Sequence, residues 1–165
     1  MLNFSKITFI AAVLASGPSF AQSGPGLVSE RSLSTNAALE LATAALDRCR
    51  ADGYKVSITV LNRHASTAVM LSDDGVNPHT VENSLRKAYT AFTTRSSTAE
   101  MAKRTQPNRA GFMLLEKITT IEGGLPIFVG KELVGAVGVS GAPGGEKDAA
   151  CAQVGIDKIT RSLGS

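Results

Sequence analysis

Few side chains in this chain are of types that do chemistry, and their spacing decides which chemistry is open to them. His64 and His79 are the two histidines. His79 follows Pro78 and immediately precedes a predicted helix start, so its imidazole sits on a rigid loop where it could ligate iron or hydrogen-bond a carboxylate. His64 falls in a predicted β-turn, where an exposed loop histidine is the simpler reading. Asp73 and Asp74 are adjacent in a loop, which is the placement of turn residues rather than of a general acid–base pair. Arg86, Lys87 and Tyr89 flank the apolar stripe of one helix; the two cations are either solvated or available to an anion such as a propionate. Ser140 with His79 and Asp74 lacks the strand–turn–helix elbow of a hydrolase nucleophile. The run from Gly135 to Gly141 superficially matches a dinucleotide fingerprint, but it follows a hairpin strand and opens no early βα unit. HExxH, CxxC, GxSxG and P-loop patterns do not occur. Met70 reads as core rather than as a thioether ligand, and Asp148 as a cap or dipole partner in the first turn of a helix.

These residues must be held by a single domain. Of 165 residues, the first 21 read as a secretory signal peptide: Lys6 gives the charge, Ile7 to Ala15 the apolar run, and Ser19-Phe20-Ala21 the small-residue cleavage site. The expected location is therefore the periplasm or the medium. Removing Lys6 leaves 16 Lys and Arg against 14 Asp and Glu, interspersed without runs of one sign, so a nucleic-acid partner is not expected. In an oxidising compartment the only two cysteines, Cys49 and Cys151, are read as a disulfide between an early and a late helix. Residues 22–34 read as a mobile linker, and residues 35–165 as the domain.

Leu39, Ala42, Leu46 and Cys49 repeat at helical spacing, with Ser34, Thr35 or Asn36 as cap and Gly53 as terminator. Lys55 to Leu61 alternates, with Val56, Ile58 and Val60 on one face, and predicts a half-buried strand. Thr67 to Leu71 returns as a second strand. A helix follows from Thr80 to about Thr93, with Val81, Leu85, Ala88 and Phe92 as its buried stripe. Ser97 and Glu100 form a capping box for a short helix through about Arg104. Phe112–Leu115 and Ile118–Ile121 are short apolar pieces, one or two of them strands. Gly123 to Gly141 predicts a β-hairpin whose second run carries glycines at 135, 138 and 141, either for tight crossing by a helix or as the wall of a flat ligand site. The last helix starts after Pro143-Gly144-Gly145, with Ala152, Ile156, Ile159 and Leu163 as its stripe. The fold class is α+β, one antiparallel sheet with packed helices.

Five stretches carry a resemblance: Lys55-Val56-Ser57-Ile58-Thr59-Val60, Asp74-Gly75-Val76-Asn77-Pro78-His79-Thr80, Arg86-Lys87-Ala88-Tyr89-Thr90-Ala91, the glycine hairpin continuing through Ala142-Pro143-Gly144-Gly145-Glu146-Lys147-Asp148, and Ala152-Gln153-Val154-Gly155-Ile156. In this order, over roughly residues 35–163, the chain resembles the secreted branch of the GlcG/HbpS family of haem-binding or "haem-degrading" domains. The resemblance implies a profilin-like domain that self-associates and binds haem. It further implies that a threonine near the start of the short second helix, here Thr98, approaches the iron. The candidate iron ligands are then Thr98, His79 and His64, with Arg86 and Lys87 for the propionates.

Two departures stand out. The helix start usually reads Pro-Thr and here reads Ser97-Thr98, and the usual Asp-x-x-Gly turn after the first strand is Asn62-Arg63-His64-Ala65. Oxidative opening of haem needs an electron source, which nothing in the sequence supplies, so binding or sensing is preferred to catalysis. The partners implied are haem or another small ligand, further copies of the chain, and a membrane sensor protein. The alternatives are an oligomeric or partner-binding module without haem, or a binder of a different small organic ligand.

Overall fold

The structure, a computed structural model, describes residues 26–104, 110–161 and 163. The expected signal peptide lies outside them. Helix α1 (Thr35–Ala51) leads into strands β1 (Ser57–Leu61) and β2 (Thr67–Ser72), then helices α2 (Pro78–Thr94), α3 (Thr98–Arg104) and α4 (Ala110–Met113). Strands β3 (Gly124–Val129) and β4 (Glu132–Ser140) form the hairpin, and α5 (Gly145–Thr160) follows. The four strands make one antiparallel sheet in the order β2-β1-β4-β3. The α+β class and the single antiparallel sheet are as the sequence predicts.

One face of the sheet is apolar and carries α1 and α5. Val56, Ile58, Val60, Val137 and Val139 pack there with Leu41, Ala45, Ala152 and Ile159. Ser34 caps α1, its Oγ accepting from the Ala37 N–H at 3.2 Å. Alanines and Gly155 let α1 and α5 approach until a Cβ at Gly155 would touch the Leu41 carbonyl oxygen. The helix face in contact is Ala38, Leu41, Ala42 and Ala45, so Leu39, expected in the buried stripe, is 48% exposed instead. The Cys49–Cys151 disulfide joins the two helices across 102 residues, as read from the sequence.

The other face is small and polar, and here the structure corrects the sequence. Ser57 and Thr59 of β1 are fully buried rather than solvated, because α2 lies over them. Ser57 Oγ shares a hydrogen bond with Thr80 Oγ1 at 2.9 Å, and Thr59 Oγ1 with Ser84 Oγ at 2.8 Å. In register with Thr59 on β4 is Gly138, where an added Cβ would meet the Ala88 nitrogen at 2.5 Å and the Ser84 carbonyl oxygen. That missing side chain admits the helix backbone itself. The buried side of α2 is therefore Thr80, Ser84, Lys87, Ala88, Thr90 and Ala91, and Val81, Leu85 and Phe92 stay half-buried on its flank.

Three smaller expectations change. Residues 110–121 form no strand; they make the one-turn α4 and an irregular segment. Met70 is 47% exposed because β2 is an edge strand. The second half of the expected linker is docked: Leu33 is buried and donates its N–H to the Val134 carbonyl at 3.1 Å, and Arg31 pairs with Glu132.

Candidate functional site

The residues singled out by sequence are spread over three places. His79 is exposed in the first turn of α2, whose neighbouring Thr80 is bonded to Ser57 at the start of β1. His64 is exposed in the turn after Leu61, at the far end of β1. Five residues of strand place the two imidazoles roughly 13 Å or more apart along the sheet, so they do not converge on one metal. Among the described residues no group of three or more His, Cys, Asp and Glu side chains could hold a metal ion. Arg86 is half-exposed and pairs with Glu82 one turn away at 2.6 Å.

Lys87 is the main correction. Rather than flanking α2 in solvent or facing a propionate, it is 1% exposed. Its Nζ donates to Asp148 Oδ2 at 2.7 Å and to the Val139 carbonyl at 2.8 Å. Asp148, at the start of α5, accepts from the Ala142 N–H through its other oxygen at 3.0 Å, so it bridges to α2 rather than serving only its own helix. Gly123, at φ 122°, makes room for the pair: a Cβ there would lie 2.7 Å from Asp148 Cβ and 2.8 Å from Lys87 Nζ. Burial pushes the Lys87 ammonium below its ordinary pKa, against the attraction of Asp148 and Glu122. Burial likewise pushes the Asp148 carboxyl up, against Lys87. The pair ties α2 to α5 and is closed to ligands.

Thr98 opens α3 and is fully buried. Its Oγ1 accepts the Gly124 N–H at 3.0 Å, fixing the first residue of β3. Ser97 caps the helix, its Oγ accepting from the Glu100 N–H at 3.1 Å. Without proline at this position, the capping bond sets the entry of the chain into α3. Next to this start, Thr90 Oγ1 accepts the Thr119 N–H at 2.9 Å, so that residues 115–124 lie along the outer side of α2. Between them runs a groove of about 300 Å³, lined by Tyr89, Thr93, Leu115, Glu116, Lys117 and Ile118. Lys117 Nζ stands 5.5 Å from the centre of the Tyr89 ring. Leu115 in the groove's lining is 55% exposed, and Leu114 and Ile121 nearby in the chain are 85% and 55% exposed; exposed apolar side chains in one short segment are of the kind that marks binding sites. The exposed leucines of an apolar run followed by Lys117 were the available sequence signal; read as strand, they were not assigned to a site.

The altered turn keeps its shape by other means. Asn62 Oδ1 accepts from the N–H groups of His64 and Ser66 at 2.9 and 3.2 Å, which is the role an aspartate would fill. Ala65 takes the left-handed conformation, at φ 57°, that glycine ordinarily supplies.

An apolar wall, a tyrosine ring and a lysine suit a flat apolar ligand with an acidic edge. The Thr98 hydroxyl is covered, held by the Gly124 N–H, and is not part of this lining. Comparison with known proteins places the whole domain in a family. The family model for the haem degrading protein HbpS-like family matches residues 33–157. GlcG of Escherichia coli is 30% identical over 108 residues, covering 66% of this chain and 81% of GlcG. The crystal structure of a double mutant of HbpS from Streptomyces reticuli superposes with a TM-score of 0.77 at 31% identity, covering 91% of this chain and 99% of that one. A crystal structure of PduOC in complex with haem aligns with a TM-score of 0.72 at 26% identity, covering 78% and 95%. The family model spans most of the chain and these relatives agree with it: this chain belongs to the HbpS-like haem degrading protein family.

Proposed function

We propose that the chain is an extracytoplasmic haem-binding protein, used for haem scavenging, protection or sensing, and that its haem site is the groove between α2 and residues 115–118. The observation that carries this reading is the groove that sets the half-exposed Leu115 and the buried Ile118 against Tyr89 and Lys117, in a family related to a haem-complexed structure. Leu115 and Ile118 would exclude water from the ring face, and Lys117 would meet a propionate. When bound, the group supplies the iron chemistry; the chain supplies the apolar seat and the charge. Thr98, its hydroxyl covered and bonded to the Gly124 N–H, fixes the entry to β3 and does not meet the iron in this reading.

The test is a haemin titration of the purified protein followed at the Soret band. A saturable shift that Leu115→Asp weakens at least tenfold, and that His79→Ala and His64→Ala leave intact, is expected. A saturable shift lost in His79→Ala but not in Leu115→Asp would move the site to the α2 start. No saturable shift in the wild type would overturn haem binding. A second reading, a partner-binding module or a binder of another small organic ligand, is favoured by the burial of Thr98 and the separation of the two histidines. In that reading the same apolar side chains are covered by a further copy of the chain or by a membrane sensor. Sedimentation of wild type against Leu115→Asp separates it, since loss of self-association without any haemin shift supports only this alternative.

A further inference from the structure

A second, chemically different cleft lies at the hairpin end of the sheet. We infer that it is a binding site for a small dianionic oxyanion ligand, independent of the haem reading. Four cations from four separate parts of the chain converge there: Arg31 of the docked N-terminal segment, Arg63 of the β1–β2 turn, Arg95 after α2, and Lys131 of the β3–β4 turn. The cleft is about 480 Å³, within the size range of small-molecule sites.

Two of the four charges are already balanced. Arg31 Nε donates to Glu132 Oε2 at 2.6 Å, with its Nη2 on the Val129 carbonyl at 3.2 Å, which holds the hairpin rim. Arg63 Nη2 donates to Glu30 Oε1 at 2.9 Å. Arg95 and Lys131 make no ion pair with the described residues. Four cations against Glu30 and Glu132 leave an excess of two positive charges, the complement of one dianion.

A further observation points to a ligand rather than to a solvated patch. The Arg63 side chain is only 20% exposed, and its Nε is buried without any hydrogen-bond partner. The Arg63 guanidinium reaches the cleft with only one of its nitrogens, Nη2, held by a carboxylate, and a planar fork of this kind recognises oxyanions; the buried Nε leaves its charge incompletely satisfied by the protein. The backbone fixes the set: Arg95 sits in the left-handed conformation at φ 52°, and the two-residue turn at Gly130 (φ 62°) and Lys131 holds the opposite rim.

Isothermal titration calorimetry of the full chain with inorganic phosphate, pyrophosphate and malonate, at low and high salt, tests this. Saturable binding of at least one probe that weakens with salt and loses at least tenfold in Arg95→Gln/Lys131→Gln is the expected result. Both side chains are at the surface, so the variant keeps the fold. Phosphate and pyrophosphate binding without malonate names a phosphate group as the recognised chemistry, and the reverse names a dicarboxylate. Arg63→Lys keeps the charge and loses the fork, and is expected to weaken binding too. No saturable heat with any probe, or binding unchanged in the double variant, overturns the proposal. Neither result touches haemin binding, which is read separately at the Soret band.

Discussion

Truncating one partner of the Lys87–Asp148 pair is the sharpest test of how this fold is closed. In Asp148→Ala the Lys87 ammonium stays 1% exposed, with the Val139 carbonyl as its one remaining hydrogen-bond partner among those described. Leaving one member of a buried pair uncompensated costs about 3–5 kcal/mol, whereas exchanging both members for apolar residues of similar volume is often neutral. At this chain length about 1 kcal/mol moves the midpoint by roughly 2–4 °C, so Asp148→Ala is expected to melt on the order of 10 °C lower. Lys87→Met should lose a comparable amount, because Asp148 retains the Ala142 N–H but no cation. The double variant Lys87→Met/Asp148→Leu should then be more stable than either single one. The assay is thermal and urea unfolding by circular dichroism at neutral pH with the disulfide intact. Additive losses in the double variant, or a loss of less than about 1 kcal/mol in Asp148→Ala, would refute the reasoning.

Three further outcomes follow from local geometry. Ala65→Gly should stabilise by about 0.5–1 kcal/mol, because relief of the left-handed alanine outweighs the added chain entropy; a lower urea midpoint would contradict this. Gly138→Ala should cost about 1–3 kcal/mol or more, since the new Cβ meets the backbone of α2 at Ser84 and Ala88 rather than a side chain that could move; an unchanged melting temperature would show that α2 is less tightly seated. Acidification should destabilise the protein through Asp73, Glu100 and Glu132, held below the usual carboxylate range first of all by hydrogen bonds from Arg50, Lys103 and Arg31 respectively. Their folded pKa values lie below the unfolded ones, so their contribution is present above the unfolded pKa and is lost as pH falls through the folded one. Asp73→Asn should therefore lose less of its urea midpoint than wild type between about pH 6 and pH 3, and an identical loss would refute that assignment.

How much of this was legible in the sequence depended on which face a residue served. The apolar face of the sheet was open to reading because Val56, Ile58 and Val60 alternate, and because Ala42, Leu46 and Cys49 recur at helical spacing. The hairpin and the disulfide followed from local turn residues and from the pairing of the only two cysteines. The α2 face was not legible. A hydrophobic stripe through Val81, Leu85 and Phe92 normally marks the buried side, yet Ser57, Thr59 and Gly138 make a sheet face that only small and hydroxylated residues can match. The matching pattern was present as Thr80, Ser84, Ala88 and Ala91, but its meaning depends on hydroxyls of β1 on one side of it in sequence and on Gly138 of β4 far beyond it on the other. Lys87 and Asp148 are 61 residues apart in sequence, and nothing local to either announces the other. The glycines of β4, ambiguous between helix packing and ligand wall, are resolved at Gly138 as helix packing. The groove at Tyr89 and Ile118 and the basic cleft at Arg63 and Arg95 both arise from segments brought together only by the fold.

Paramagnetic broadening of backbone amide resonances by stoichiometric haemin tests the proposed haem position most directly. Saturable broadening centred on Tyr89, Thr93 and residues 115–118, sparing His64 and the hairpin turn at Gly130, is expected. Broadening centred on His64 or His79, or none that saturates, would contradict it.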